Sequence, residues 1–157
     1  MFFGEHNHSL DEKGRLILPK EFRSAFDDKC YVTKGYEGCL QVYTLEEWGK
    51  FQEKMVTLLG NESDENFRRV IRNFSSGGSI INIDKLGRML ITQELREYAK
   101  MALSGSVVIT GMLNKLEIWS KRRWDLYNGR VSYDSGIDGE QIKVISLEDA
   151  AAAIKTI

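Results

Sequence analysis

Apolar and polar residues change places along this chain in two alternating rhythms. From Phe2 to Leu10 the pattern is extended, and Arg15 to Leu18 is a short apolar strand closed by Pro19. Glu21 to Phe26 carries Phe22, Ala25 and Phe26 on one side of a single short helix, which Pro19 can open because a missing N–H costs nothing at the first turn. Cys30–Thr33 and Cys39–Tyr43 then form two strands joined across Lys34-Gly35-Tyr36-Glu37-Gly38. After Tyr43 the period lengthens. Thr44 and Glu47 make a capping box, and Trp48, Phe51, Met55 and Leu58 recur at helical spacing up to Gly60. A second helix is predicted from Ser63 to Phe74, with Phe67, Val70, Ile71 and Phe74 inward and Arg68, Arg69 and Arg72 on or beside the other face. Ser75-Ser76-Gly77-Gly78 breaks it.

The strand rhythm then starts again. Ser79–Ile83 and Arg88–Ile91 are strands, Gln93–Met101 is the short helix, and Val107–Thr110 with Leu116–Trp119 is the hairpin. Ser120 caps a last helix holding Trp124 and Tyr127. The repetition is literal at one place. Asp11-Glu12-Lys13-Gly14-Arg15 returns 73 residues later (84 minus 11) as Asp84-Lys85-Leu86-Gly87-Arg88, each followed by an apolar run. Glu21 and Arg23 match Glu94 and Arg96 at the same spacing. Gly35, Leu40, Val42, Tyr43 and Trp48 match Gly111, Leu116, Ile118, Trp119 and Trp124 at a spacing of 76 (111 minus 35), so a short turn has been added in the second copy. The chain is a tandem duplication: residues 1–59 and 79–130 are the repeats, 60–78 a helical connector and 131–157 an appendage. Each repeat alone is too small to enclose much core, so the two are expected to pack as one pseudo-two-fold α+β unit.

Composition adds limits. With 157 residues, 42% hydrophobic and 29% charged, the chain has the usage of a folded globular protein. Its net charge of −1 gives no global case for a polyanionic partner. Beyond Val131, however, five acidic residues face only two basic ones, which leaves 20 of the 22 basic and 18 of the 23 acidic residues in the body. A basic face would have to arise by clustering. The start lacks a basic stretch followed by an apolar one, no apolar run reaches membrane-spanning length, and Cys30 and Cys39 are too few for a disulfide scaffold. A cytoplasmic protein is expected.

The doubled Asp-x-x-Gly-Arg motif, its position near the N-terminus and the strand-helix-hairpin order resemble the MraZ family of bacterial transcriptional regulators, from Met1 to about Gly129. The resemblance implies an AbrB-like swapped-hairpin β-barrel with peripheral short helices. It also implies a ring-shaped homo-oligomer, associated with the nucleoid, that binds short direct repeats of double-stranded DNA in a promoter, typically that of the division and cell-wall genes. Thr92 stands where the first copy has Pro19, so the copies need not contribute equally.

On this reading Arg15 and Arg88 are the leading DNA contacts, because the guanidinium fork suits phosphates and guanine edges alike. The plain alternative is that each Arg merely staples its own Asp across the turn, and the two roles can coexist. Lys13 and Lys85 lie in the same turns and add phosphate attraction. Asp11, Gly14, Asp84 and Gly87 shape the turns. Lys20, Arg23 and Arg96 could widen the basic face, but Glu21 and Glu94 lie beside them. Arg68, Arg69, Arg72 and Lys121-Arg122-Arg123 read as solvated or interface helix faces. His6 and His8 form half a metal site with no second half, and Cys30 and Cys39 read as small core hydrophobes. The aromatic residues Tyr43, Trp48, Trp119, Trp124 and Tyr127 are expected in the core. No catalytic constellation, cofactor loop or metal-ligand pairing appears, so no catalytic residue, cofactor, metal or small-molecule substrate is expected. Two rival functions remain: an assembly module whose basic turns bind acidic proteins, and a hydrolase built on Asp11 and Asp84.

Overall fold

The computed structural model describes residues 1–59 and 64–128. The chain divides into a compact unit over Met1–Lys121, which holds both strand repeats, and a second over Arg122–Ile157. The ends predicted at Gly60 and Ser63, the appendage from Val131 and its Ala-rich stretch lie outside the described residues.

In the first repeat, β1 (Glu5–Ser9) and β2 (Arg15–Ile17) are followed by α1 (Lys20–Arg23), and β3 (Lys29–Lys34) and β4 (Leu40–Tyr43) flank a 3-10 turn at Tyr36–Gly38. The first repeat ends in α2 (Leu45–Leu59), and the connector to the second is α3 (Glu65–Ser76). The second repeat gives β5 (Ser79–Asn82), β6 (Arg88–Leu90), α4 (Gln93–Tyr98), β7 (Ser106–Met112) and β8 (Lys115–Ser120), followed by α5 (Lys121–Tyr127). Element types agree with the pattern; some details do not. The first short helix is one turn of four residues rather than six, and Pro19 stands just outside it, at φ −53 and ψ 139. Only half of the capping box forms: Glu47 N–H donates to Thr44 Oγ1 (3.1 Å), while the Glu47 carboxylate accepts from Lys50 Nζ (3.2 Å). Val70 and Tyr127, placed in the core by spacing, are 37% and 49% exposed.

Among the described residues all strand pairings are antiparallel; β3–β4 and β7–β8 pair within a repeat, and the other four tie one repeat to the other. β1 pairs with β7, and β5, its counterpart in the second repeat, pairs with β3, the counterpart of β7. The first strand of each repeat has therefore been exchanged. The same reciprocity recurs in β4 and β8, where Leu40 faces Ile118 and Val42 faces Leu116 about a central Gln41–Glu117 pair. It recurs in β2 and β6, where Arg15 faces Leu90 and Ile17 faces Arg88 about a central Leu16–Met89 pair. A pseudo-two-fold relation runs through both central pairs. The result is a six-stranded sheet of linear order β1-β7-β8-β4-β3-β5 and a two-stranded ribbon β2-β6. The family resemblance leads one to expect a closed barrel, and among the described residues the pairings give these two sheets without closing them; an isolated bridge from Ile83 to Met89 joins the end of β5 to β6.

The core is built from repeat-equivalent pairs. Leu16 and Met89, Leu18 and Ile91, Leu40 and Leu116, and Val42 and Ile118 are all buried to about 1% exposure or less. Period-two alternation turns Leu16 and Met89 inward and leaves Ile17 and Leu90 outward. On the connector side, Trp48 stacks on Tyr31 at 3.7 Å between ring centroids, and Phe51 bridges Trp48 and Phe74. Tyr31 and Thr33 hydroxyls both donate to the Phe74 carbonyl, at 2.9 and 2.8 Å, and so fasten the end of α3 to β3. That carbonyl lies at the end of a helix where backbone acceptors run out of partners.

Truncating the central pair should test this account. Leu16→Ala and Met89→Ala should each lower unfolding free energy by roughly 2–5 kcal/mol, non-additively in the double variant, as measured by chemical denaturation. Ile17→Ala, on the outward face of the same strand, should change it by no more than about 0.5 kcal/mol.

Candidate nucleic-acid interface

The two Asp-x-x-Gly-Arg turns fold alike down to single hydrogen bonds. Asp11 N–H donates to the Arg15 carbonyl (2.9 Å) and Gly14 N–H to the Asp11 carbonyl (3.1 Å); the matching bonds from Asp84 and Gly87 are 3.0 and 2.9 Å. Asp11 Oδ1 accepts from the N–H groups of Lys13 and Arg15, both at 2.8 Å, while Oδ2 accepts from Arg15 Nε at 2.6 Å. Asp84 repeats this with Leu86 N–H (3.0 Å), Arg88 N–H (2.8 Å) and Arg88 Nε (2.6 Å). The residue types follow from the geometry. Only a short carboxylate can hold two turn amides and the Arg at once, and Gly14 and Gly87 take φ of +83 and +81.

The staple and the contact readings of the arginines turn out to be compatible. Each carboxylate holds its Arg by Nε alone, and among the described residues the terminal Nη atoms of Arg15 and Arg88 have no hydrogen-bond partner. Both side chains are 34% exposed. Asp therefore fixes the pose and leaves the two-pronged end of the guanidinium for another acceptor. Those hydrogen bonds, the Arg15 amide first among them, pull the Asp11 carboxyl down to about 2 from 3.8. Asp84 is lowered in the same way by the Arg88 amide first. Both carboxylates stay ionised near neutral pH, which is poor material for the acid/base pair that a hydrolase would need.

The turns sit at opposite ends of the ribbon and are stitched across it. Leu18 N–H donates to the Gly87 carbonyl (2.8 Å), and Ile91 N–H to the Gly14 carbonyl (3.0 Å). Arg15 and Arg88 share the outward face on a diagonal, where neighbours lie roughly 7–8 Å apart and their β-carbons somewhat closer. Lys13 and Lys85 are exposed in the turns. They are not repeat equivalents, since Lys13 corresponds to Leu86 and Lys85 to Glu12.

Arg23 and Arg96 have a role that sequence spacing did not reveal. Arg23 Nε donates to the Leu18 carbonyl (2.8 Å), and Arg96 Nη1 to the Ile91 carbonyl (2.6 Å). Each guanidinium then lies across the glycine of the opposite turn. A β-carbon on Gly87 would come within 2.7 Å of Arg23 Cζ, and one on Gly14 would collide with Arg96. These arginines brace the turns and also place a second positive charge at each end of the ribbon. The matched positions of Arg23 and Arg96 were the available signal; the partner glycine across the pseudo-dyad was not readable from one strand of sequence. Glu94, whose charge was expected to oppose this face, reaches instead toward Lys34 (3.4 Å).

The remaining candidates lie elsewhere. His6 rests edge-on against Phe22 at 5.1 Å, and burial, followed by the nearby His6, lowers the pKa of His8. Cys30 and Cys39 are free and fully buried, and burial pushes the Cys30 thiol up to about 12. Among the described residues no three His, Cys, Asp or Glu side chains converge, and no helix is long and apolar enough to cross a membrane. Arg69 pairs with Glu65 (3.3 Å) on the exposed face of α3, and Arg122 and Arg123 belong to the other unit.

Comparison with known proteins places this arrangement. The family model described as "MraZ protein, putative antitoxin-like" matches residues 1–70 and 74–141. The chain belongs to that family. The match continues to residue 141, beyond the Gly129 limit that the sequence pattern suggested. The chain is 40% identical over 142 residues to "Transcriptional regulator MraZ" of Acetivibrio thermocellus, covering 90% of this chain and 94% of the relative. It is 43% identical over 130 residues to the protein of that name from Desulforamulus reducens, covering 83% and 89%. A third, from Dictyoglomus thermophilum, is 43% identical over 128 residues, covering 82% and 85%.

Two outcomes test the MraZ turn as described. Gly14→Ala and Gly87→Ala should each cost about 1 kcal/mol or more, read from thermal or urea unfolding, because φ is positive and an Arg must give way. The second concerns pH. The Asp11 pKa is depressed in the fold, so its contribution is fully present above 3.8 and is lost as pH falls toward 2. Acid unfolding should steepen in that window, and Asp11→Asn should flatten it.

Proposed function

We propose that this chain is a transcriptional regulator that binds double-stranded DNA by laying the outward face of the β2–β6 ribbon in the major groove. One observation carries this reading: the ribbon presents two pre-oriented guanidiniums, Arg15 and Arg88, each held from behind by its own aspartate. A two-stranded ribbon fits the major groove, and the free prongs of an Arg match the paired acceptors of a guanine. Lys13, Lys85, Arg23 and Arg96 surround that face with charge suited to phosphates. The names of the relatives support the regulatory role.

Magnitudes decide how many copies are needed. Two bidentate contacts supply about 2–6 kcal/mol of discrimination. A specific site bound at about 10⁻⁸ M needs about 11 kcal/mol. The difference comes from phosphate contacts and from repeated presentation, so the protein acts as a homo-oligomer, in ring form, on short direct repeats. The target is a promoter, that of its own division and cell-wall gene cluster in keeping with the family, and the working place is the nucleoid in the cytoplasm. The exchanged strands β1 and β5 are what a swapped-hairpin barrel requires, and the Ile83–Met89 bridge supports joining the ribbon to the larger sheet in that form. The protein works by binding alone, without catalysis, cofactor or small-molecule substrate.

The test is fluorescence anisotropy against the DNA upstream of the gene, with a scrambled duplex of equal length. The native duplex should bind more tightly, with affinity falling steeply as salt rises. Arg15→Ala should keep the fold by circular dichroism yet lose roughly 5–150-fold in affinity for the native duplex, and Arg88→Ala should lose in the same direction. Equal binding of native and scrambled DNA by the unaltered protein would instead leave an oligomeric module for acidic protein partners.

A further inference from the structure

The outward face of the ribbon holds more than arginine. On β2 it carries Arg15 and Ile17, and on β6 Arg88 and Leu90, so each Arg stands directly across from an aliphatic residue. Ile17 is 46% exposed and Leu90 51%, although Leu16 and Met89 between their neighbours are buried completely or nearly so. A single exposed aliphatic residue is ordinary. Here the two occupy equivalent positions of the two repeats (90 minus 17 is 73) and flank the same pseudo-dyad.

We infer that Ile17 and Leu90 are specificity-determining residues that read the 5-methyl groups of thymines lying beside the base edges taken by Arg15 and Arg88. The inference deepens the DNA-binding reading above and rests on it. Three observations carry it. The aliphatic pair shares its face with two guanidiniums whose outer prongs are unfilled among the described residues, so the covering surface must satisfy both cations and methyl-sized apolar groups. In the major groove the thymine methyl is the apolar feature among polar base edges, and phosphates flank it. A second copy of this face is a poor occupant, because it adds two more guanidiniums and supplies arginines where acceptors are needed.

Spacing agrees with that occupant. Residues two apart on a strand are separated by about 6.8 Å. Successive bases on one DNA strand rise about 3.4 Å, so Ile17 lies roughly two base steps from Arg15 and Leu90 the same from Arg88. Each Arg also has an aliphatic residue directly opposite it at about 5 Å, so each ribbon reads a short block in which a thymine stands within about two steps of each Arg-bound base.

Replacing thymines one at a time by deoxyuridine in the native upstream duplex removes single methyl groups and no hydrogen-bonding atom. Anisotropy titrations of the full chain should find positions where this lowers affinity about fourfold per contacted methyl. Ile17→Ala should lose a similar factor on the thymine duplex and become insensitive to deoxyuridine at one such position; Leu90→Ala should do so at another. A wild-type protein indifferent to every deoxyuridine, while still preferring native over scrambled DNA, overturns this inference and leaves the regulator reading standing. So would an Ile17→Ala variant as sensitive to deoxyuridine as wild type. If Ile17→Ala changes the oligomer mass by light scattering without changing DNA affinity, the strip contacts another copy and the inference fails. Absence of any preference in the wild type would sink the regulator reading itself.

Discussion

A three-residue strand cannot stand alone, and this fold has two of them. β2 and β6 each offer a single inward side chain, Leu16 or Met89, so neither repeat can bury its motif strand without the other. Their antiparallel pairing about that central contact is the constraint on which the rest depends. It requires the repeats to face one another across a pseudo-two-fold, which in turn lets β1 and β5 cross to the opposite repeat. It brings Leu18 to Gly87 and Ile91 to Gly14, and so welds each turn to the other copy. Neither repeat is then an independent domain: in Met1–Lys121 one six-stranded sheet draws strands from both.

The same constraint creates the site. Because residues two apart share a face, burying Leu16 and Met89 compels Arg15, Ile17, Arg88 and Leu90 to face outward together. The aspartates then limit motion. An unrestrained Arg would lose about 2 kcal/mol of rotamer entropy on being fixed, and fixing Nε in the free protein removes part of that loss in advance. An exposed ion pair of this kind contributes little to stability. Its value lies in where it points the guanidinium.

Much of this was legible in the sequence for a definite reason. Element types come from local periodicity, and the duplication at offsets of 73 and 76 exposed the repeats, the turn glycines and the Asp–Arg pairing. Local pattern predicted that the repeats pack about a pseudo-dyad, but not which residues meet across it. The strand exchange, the bracing of Gly14 by Arg96 and of Gly87 by Arg23, and the meeting of Ile17 with Arg88 join residues 47 to 105 positions apart (79 minus 32, 110 minus 5), and one sequence carries no pairing signal at that range. Local competition explains the smaller misses. Glu47 was matched to a cap but found Lys50 within one turn, and Val70 kept helical spacing on a helix whose buried contact is Phe74.

The two halves of the ribbon are related but not alike. Before Arg15 the turn carries Glu12 and Lys13, which cancel; before Arg88 it carries Lys85 and Leu86, which leave one positive charge. Beyond the strands, Pro19 fixes the entry to α1 by its ring, while Thr92 caps α4 through a hydrogen bond from Leu95 N–H (3.3 Å). A perfect dyad would make each chain read an inverted repeat with equal arms. The charge difference gives the ribbon a direction, which is what the proposed reading of head-to-tail sites calls for. Duplication thus supplied the shared core, and divergence within the turns gave the ribbon its polarity.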